Sequence, residues 1–255
     1  MSGERCDDRR LFEISGADRL NFLQGLVSND VGKLADGMIY AALLSPQGKY
    51  LADFFLSVRG DSVLLDIHAG IADATLRRIG MYKLRAAVAI APSPLLVRRG
   101  VGPVPPGALA DPRHPTLGWR SYTETPGSDP VIDWDALRVA ACIPETGIEL
   151  IPDDTYILEA GFERLNGVDF RKGCYVGQEV TARMKHKTLL RKGFATVQIA
   201  GSAPPGTEIT ADDKPVGTLF TQSSGLAIAY LRFDRAEADM QAGAARIIWP
   251  PPASS

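Results

Sequence analysis

The sequence is poor in cysteine: Cys6, Cys142 and Cys174 stand far apart with no C-x-x-C pair. That excludes a disulfide framework and a four-thiolate zinc or iron-sulfur site within one chain. Histidine is equally sparse, with His68, His114 and His186 scattered outside any H-E-x-x-H pattern, so no resident metal is expected. Neither sign of charge dominates. The 28 Lys+Arg and 30 Asp+Glu leave a formal net charge of -2, too little for a global field that would hold nucleic acid or an anionic bilayer. Long apolar runs are missing too: Ala86–Val97 is uncharged but broken by Pro92 and Pro94, short of the ~20 residues a spanning helix needs. Met1–Arg10 mixes Glu4, Asp7 and Asp8 with arginines around no apolar centre, so it does not read as a secretory signal. The expected location is cytoplasmic. The motifs G-x-G-x-x-G, G-x-x-x-x-G-K-[ST] and G-x-S-x-G are absent, which argues against nucleotide-binding and α/β-hydrolase folds.

What remains is globular usage, 45% hydrophobic and 23% charged, over 255 residues, enough for two or three domains. Ser15 and Asp18 precede a helical stripe of Leu20, Leu23 and Val27. Strand-like runs follow at Tyr40–Leu44, Leu51–Val58 and Val63–Ile67, joined by turns at Pro46-Gln47-Gly48 and Arg59–Ser62, which predicts a meander of hairpins. Ile71, Ala72, Thr75, Leu76, Ile79 and Tyr82 recur at helical spacing, and Ala86–Ile90 reads as a buried strand. Seven prolines between Ala91 and Pro115 predict a long loop or a domain boundary. After a polar stretch, Thr123–Pro130, order resumes at Trp134, Leu137 and Val139. Short apolar runs beyond Leu190, at Phe194–Ile199, Val216–Phe220, Leu226–Leu231 and Arg246–Trp249, predict a small β barrel or sandwich. The fold class is therefore α+β with a carboxyl-terminal all-β unit.

The segment richest in chemistry is Arg171-Lys172-Gly173-Cys174-Tyr175-Val176-Gly177-Gln178-Glu179. A cysteine beside two cations has a stabilised thiolate, and the flanking Gly173 and Gly177 allow close backbone approach. Cys174 is thus the candidate reactive thiol; the plain alternative is a glycine-rich turn with a half-buried cysteine. Residues 179–185 alternate Val180, Ala182 and Met184 with Glu179, Thr181, Arg183 and Lys185, as in a half-buried strand. Arg183, Lys185, Lys187, Arg191 and Lys192 form a cationic cluster that either holds an anion or is a solvated face. No aromatic residues interleave with it, so direct nucleic-acid binding is not expected, and an RNA-interaction module is the least favoured alternative.

The run from Lys172 to Glu179, with Arg183 after it, resembles the signature of the YgfZ-type folate-binding proteins, relatives of the glycine cleavage system T protein. Phe22-Leu23-Gln24-Gly25, Ser28-Asn29-Asp30-Val31, Leu43–Lys49 with Asp53, and Met81-Tyr82-Lys83-Leu84-Arg85 resemble the same family, so the similarity spans nearly the whole chain. It implies a three-domain cloverleaf: residues 1–40 with 116–188, residues 41–115, and a barrel over 189–255. It implies further a tetrahydrofolate-binding accessory protein for assembly or repair of iron-sulfur proteins, linked indirectly to tRNA modification. Its partners would be a reduced folate and iron-sulfur assembly or client proteins, with no ordinary turnover reaction of its own. The expected folate-binding set is Asp53, Gln24, Asn29, Tyr175, Gln178, Glu179 and Arg183, with Lys172, Gly173 and Gly177 supporting the Cys174 loop. Asn29 could instead cap or turn the chain, and Tyr175 could fill the core. The main alternative is a tetrahydrofolate-dependent aminomethyl or one-carbon transferase. Two departures speak against it: the transferases' paired aspartates read Ala52-Asp53 here, and their pterin-binding glutamate is replaced by Ala140.

Overall fold

The computed structural model describes residues 3–186 and 189–250. In chain order the elements of the first part are β1 (Glu4–Arg5), β2 (Arg9–Ser15), α1 (Arg19–Gln24), a 3₁₀ turn (Val31–Ala35), β3 (Ile39–Leu44), β4 (Tyr50–Arg59), β5 (Ser62–His68) and α2 (Ala69–Tyr82). There follow β6 (Ala89–Pro92), β7 (Leu96–Gly100), β8 (Leu109–Ala110), β9 (Trp119–Thr123), α3 (Trp134–Ala140) and α4 (Gln178–His186). The last part holds β10 (Lys192–Ala200), β11 (Glu208–Ala211), β12 (Lys214–Ser223), β13 (Leu226–Arg232), β14 (Asp239–Ala242) and β15 (Ala245–Ile248).

Three sheets result: a five-stranded β3-β4-β5-β2-β6, a four-stranded β1-β7-β9-β8, and a closed barrel β10-β13-β12-β11-β14-β15. In the first sheet, period-two alternation divides each strand between two cores. Ile39, Ala41 and Leu43 of β3 meet Phe54 and Leu56 of β4 under α1 and α2, while Tyr40, Ala42 and Leu44 meet Phe55 on the other face. Both faces are covered, so all of β3 and the first eight residues of β4 are buried. The second core continues through Leu150, Ile157, Phe162 and Leu165 of the segment between α3 and α4. A third core fills the barrel, with Val197, Ile209, Leu219, Leu231 and Ile247 at its centre.

The expected cuts at residues 40 and 115 do not follow the sheets. β2, before the first cut, pairs antiparallel with β5 after it, Arg9 opposite His68 through Ile14 opposite Val63. The proline-rich stretch also holds more order than its composition predicts: its proline-free gap supplies β7, which pairs with both β1 and β9. The expected buried strand at Ala86–Ile90 lies instead at Ala89–Pro92, as a largely exposed edge, where a proline's missing N–H costs nothing. Residues 179–185 form helix α4 rather than a strand. Its buried Thr181 and its core-facing Met184 are three apart, so one helical face carries the contact.

Candidate functional site

The Cys174 loop is held from both sides while its thiol stays outside. Lys172 turns inward, 6% exposed, and its Nζ donates to the backbone carbonyls of Gln24 at 2.8 Å, Asn29 at 2.9 Å and Val27. Burial pushes this ammonium down to about 8, against the pull of Asp30 and Asp169. The expectation that Lys172 flanks the thiol as a cation is therefore corrected, because its donors are taken by carbonyls at the end of α1. Arg171 points to solvent, 3.8 Å from Asp169. On the other side Gly177, at φ +82, packs against the Pro46-Gln47-Gly48 turn, and a Cβ there would sit 2.5 Å from the Ser45 carbonyl oxygen. Gly48, at φ +74, has the reciprocal constraint: its Cβ would lie 2.7 Å from Cβ of Val180. Two separated motifs thus meet in one backbone contact that only glycines allow. Gln178 closes the loop, its backbone N–H donating to the Tyr175 carbonyl at 3.2 Å. Val176 N–H donates to the Gly25 carbonyl at 3.3 Å. Gly173 and Cys174 remain exposed.

Tyr175 belongs to the second core, 7% exposed, with burial pushing its phenol up to about 12, so it fills the core rather than offering a stacking face. Gln24 and Asn29 serve the backbone. Gln24 accepts from Val31 N–H at 2.8 Å and donates to Asp30 at 3.0 Å. Asn29 donates to the carbonyls of Tyr40 and Asn166, both at 2.8 Å, and accepts from Asp30 N–H. With its amide committed this way, Asn29 has no donor left for a ligand, whereas Gln24 keeps one N–H beyond its bonds to the turn. Glu179 and Arg183 are exposed on α4, whereas Asp53 is buried.

Asp53 lies on the same face of β4 as Phe55, 4% exposed in the second core. It accepts from the Tyr40 hydroxyl at 3.0 Å, the Tyr50 hydroxyl at 2.6 Å and Thr146. Burial together with this carboxylate holds both phenols well above the ordinary range. Beside it runs an ion-pair chain that sequence reading missed. Arg9 bonds Asp66 at 2.6 Å, Arg120 bridges Asp66 at 3.1 Å and Asp111 at 3.3 Å, and Arg113 bonds Asp111 at 2.8 Å. Burial pushes the Asp111 carboxyl up, but Arg113 and Arg120 outweigh it and leave it below its ordinary value. The guanidinium groups of Arg120 and Arg113 lie 4.1 and 4.8 Å from the Phe55 ring centre. The only available signal was Asp66 itself, a lone carboxylate inside the apolar run Val63–Ile67. The cavity left between these groups is about 90 Å³.

A larger cleft of about 1170 Å³ opens where the barrel meets the α+β body. Phe194, Phe220 and Tyr230 of the barrel line it with Lys49, whose Nζ sits 3.8 Å above the Tyr156 ring; Arg191 and Lys192 line it too, as do the acids Glu149, Asp154 and Glu159, the last accepting from the Tyr230 hydroxyl at 2.6 Å. Cys174 lines neither cavity. The barrel is tied to the body by Arg138 of α3, which bonds Glu149 at 3.0 Å and reaches Thr221, while Glu149 accepts from the Thr221 hydroxyl at 2.6 Å. Ala140, two residues after Arg138, is exposed. Of the cationic cluster, Lys185 pairs with Glu163, Arg183, Arg191 and Lys192 are exposed, and Lys187 lies outside the described residues.

An α+β body of two antiparallel sheets closed by a six-stranded barrel, with an exposed cysteine on a K-G-C-Y-x-G-Q-E loop, defines a protein of the YgfZ type. The fold is shared with the crystal structure of glycine cleavage system aminomethyltransferase T from Bartonella henselae, at TM-score 0.74 and 14% identity over 94% of this chain and 82% of that one. Residues 191–254 match the family described as CAF17, C-terminal beta-barrel domain. The mitochondrial iron-sulfur cluster assembly factor IBA57 of Mus musculus is 30% identical over 274 aligned positions, covering 89% of this chain and 76% of the relative. The Homo sapiens protein of the same name is 29% identical with the same coverage. The homologue from Mycosarcoma maydis is 30% identical over 78% of this chain and 58% of its own length. The chain belongs to the IBA57 family of iron-sulfur cluster assembly factors. The expected cytoplasmic location does not stand, because these relatives are mitochondrial proteins by name; composition has no means of marking a compartment.

Proposed function

We propose that this chain serves the assembly or repair of iron-sulfur proteins, with Cys174 as the working thiol and a reduced folate as ligand of the large cleft. The observation that carries the reading is the contrast at the Cys174 loop: backbone and neighbours are fixed by Lys172, Gly177 and Gln178, while the thiol faces solvent. A soft sulfur donor on a fixed loop is suited to brief ligation of iron or sulfur species carried by another protein. The folate reading is moved from Asp53 to the cleft. Its volume exceeds the ~300 Å³ that small-ligand sites require; its aromatic walls suit a flat heteroaromatic ring, Lys49, Arg191 and Lys192 suit a carboxylate tail, and of its three acids Glu149 is paired with Arg138 and Glu159 accepts from Tyr230. When bound there, a reduced folate supplies an electron-rich pterin; the chain's own part is to orient it and exclude water. The transferase alternative needs a carboxylate free to meet substrate, and both oxygens of Asp53 are engaged by Tyr40, Tyr50 and Thr146.

The test replaces the chain in cells by Cys174→Ser and measures iron-sulfur enzyme activities, alongside anaerobic calorimetric titration of tetrahydrofolate into the purified protein and its Phe220→Ala variant. Cys174→Ser should abolish support of those enzymes while leaving thermal stability unchanged, because the side chain is exposed. Tetrahydrofolate should bind, and bind more weakly to Phe220→Ala. Full support by Cys174→Ser would overturn the thiol reading, and absence of binding to the parent protein would overturn the folate reading.

A further inference from the structure

Helix α2 ends at Tyr82 with Lys83 as its C-cap, so Leu84 occupies the next position, the one that commonly takes a left-handed conformation and a glycine. Leu84 does take it, at φ +42, and its side chain is 89% exposed. A leucine there pays backbone strain and returns no packing, a combination that points to a role outside the fold. Two further large apolar side chains are exposed nearby, Met81 at 67% on the last turn of α2 and Leu20 at 44% on α1. The two segments are clamped together: Asp18 N–H donates to the Ala87 carbonyl at 3.3 Å, and the Asp18 carboxylate accepts from Ala87 N–H at 2.7 Å. Half-buried Phe22 and Tyr82 rest on the same core beneath.

The surroundings are cationic. No carboxylate occurs in the sequence between Asp73 and Asp111, whereas Arg77, Arg78, Lys83 and Arg85 all fall in that stretch. Of the acids beside this surface, Asp73 is paired with Arg10 at 2.7 Å, and Asp18 keeps its charge while accepting from Ala87 N–H, one carboxylate against the four cations. In a chain with a net charge of -2, this is a local excess of positive charge around exposed apolar side chains.

We propose that Leu20, Met81 and Leu84, with the basic rim of Arg77, Lys83 and Arg85, form a docking surface for an acidic protein segment that presents apolar side chains. Leucine and methionine supply the buried anchor area and the rim selects carboxylates. The opposite end of α1, six residues or roughly 9 Å long, carries the Gln24 and Gly25 carbonyls that hold the Cys174 loop. A segment docked on Leu20 therefore reaches the helix whose far end anchors the Cys174 loop. That consequence rests on the function proposed above; the docking itself does not.

The test uses the full chain and a fluorescein-labelled acidic amphipathic peptide, leucines on one helical face and glutamates on the others, with its Glu→Gln counterpart as control. Anisotropy should show saturable binding of the acidic peptide that weakens with salt, and at least tenfold weaker binding of the control. Leu84→Gly should weaken binding at least tenfold while its thermal midpoint equals or exceeds the parent's, since glycine relieves the strain at φ +42. Arg77→Glu combined with Arg85→Glu should have the same effect on binding, and Cys174→Ser should bind as the parent does. Undiminished binding by Leu84→Gly, or equal binding of the two peptides, would overturn the proposal. So would adsorption to phosphatidylserine vesicles without peptide binding, which would assign the surface to a membrane.

Discussion

Replacing Lys172 by methionine removes the pin under the Cys174 loop while keeping most of the side-chain volume. Three carbonyls, of Gln24, Val27 and Asn29, then lose their shared donor. At roughly 1 kcal/mol each the loss is about 3 kcal/mol, reduced to about 2 kcal/mol because methionine no longer carries an ammonium that burial disfavours. A loss of that size lowers the thermal midpoint by roughly 4–8 °C in a protein of this length. The effect should also depend on pH with a defined sign. The folded chain holds the Lys172 proton less tightly than the unfolded chain, about 8 against the ordinary 10.5. Between those values the unfolded state binds the additional proton, so this group makes the parent protein more stable as pH rises through the window. Methionine has no proton to release, so the stability gap between parent and variant should widen from pH 8 to pH 10. Urea unfolding of both proteins across that range measures it, and Cys174 alkylation by iodoacetamide reports whether the loop has loosened. An unchanged midpoint, or a gap that narrows with rising pH, would refute the reasoning.

Gly177→Ala should cost more than its single methyl implies, about 2–3 kcal/mol, because its Cβ meets the Ser45 carbonyl at 2.5 Å and φ is +82. Denaturant unfolding measures this, and a loss under about 0.5 kcal/mol would mean that the Gly48 turn does not press on the loop. Asp53→Ala leaves the Tyr40, Tyr50 and Thr146 hydroxyls without their acceptor in the core and should cost about 3–5 kcal/mol. Its tetrahydrofolate affinity, corrected for the folded fraction, should match the parent's; a weaker corrected affinity would return Asp53 to the ligand site.

The strands, α2 and the barrel were legible because each carries its own periodicity. The alternation in Tyr40–Leu44 and Leu51–Val58 needs no partner to be recognised. Helix α4 was misread because Val180, Ala182 and Met184 alternate by chance over a stretch with one charged face, and only the packing of Thr181 and Met184 on one core separates the two periods. β7 was missed because prolines on either side dominate its composition, while its pairing partners, β1 and β9, lie far away in sequence. At the site, sequence singled out Cys174 and its flanking glycines, since local chemistry and motif suffice for those. For Asn29, Gln24, Tyr175 and Asp53 the resemblance implied a ligand role, while their bonds within the fold were not legible, because residue type reveals hydrogen-bonding capacity and not how that capacity is used.

The sequence alone therefore determined the α+β class, the carboxyl-terminal barrel and the thiol-bearing loop. These depend on local propensity, composition and a contiguous motif. Only the tertiary structure decided that Lys172 faces inward, that Gly48 meets Gly177, that Asp53 is locked in a core beside the pairing of Asp66 with Arg9 and Arg120, and that the open cleft lies against the barrel. Each of these joins residues tens of positions apart, and burial and pairing across such distances arise from how sheets and helices stack, which no single stretch of chain encodes.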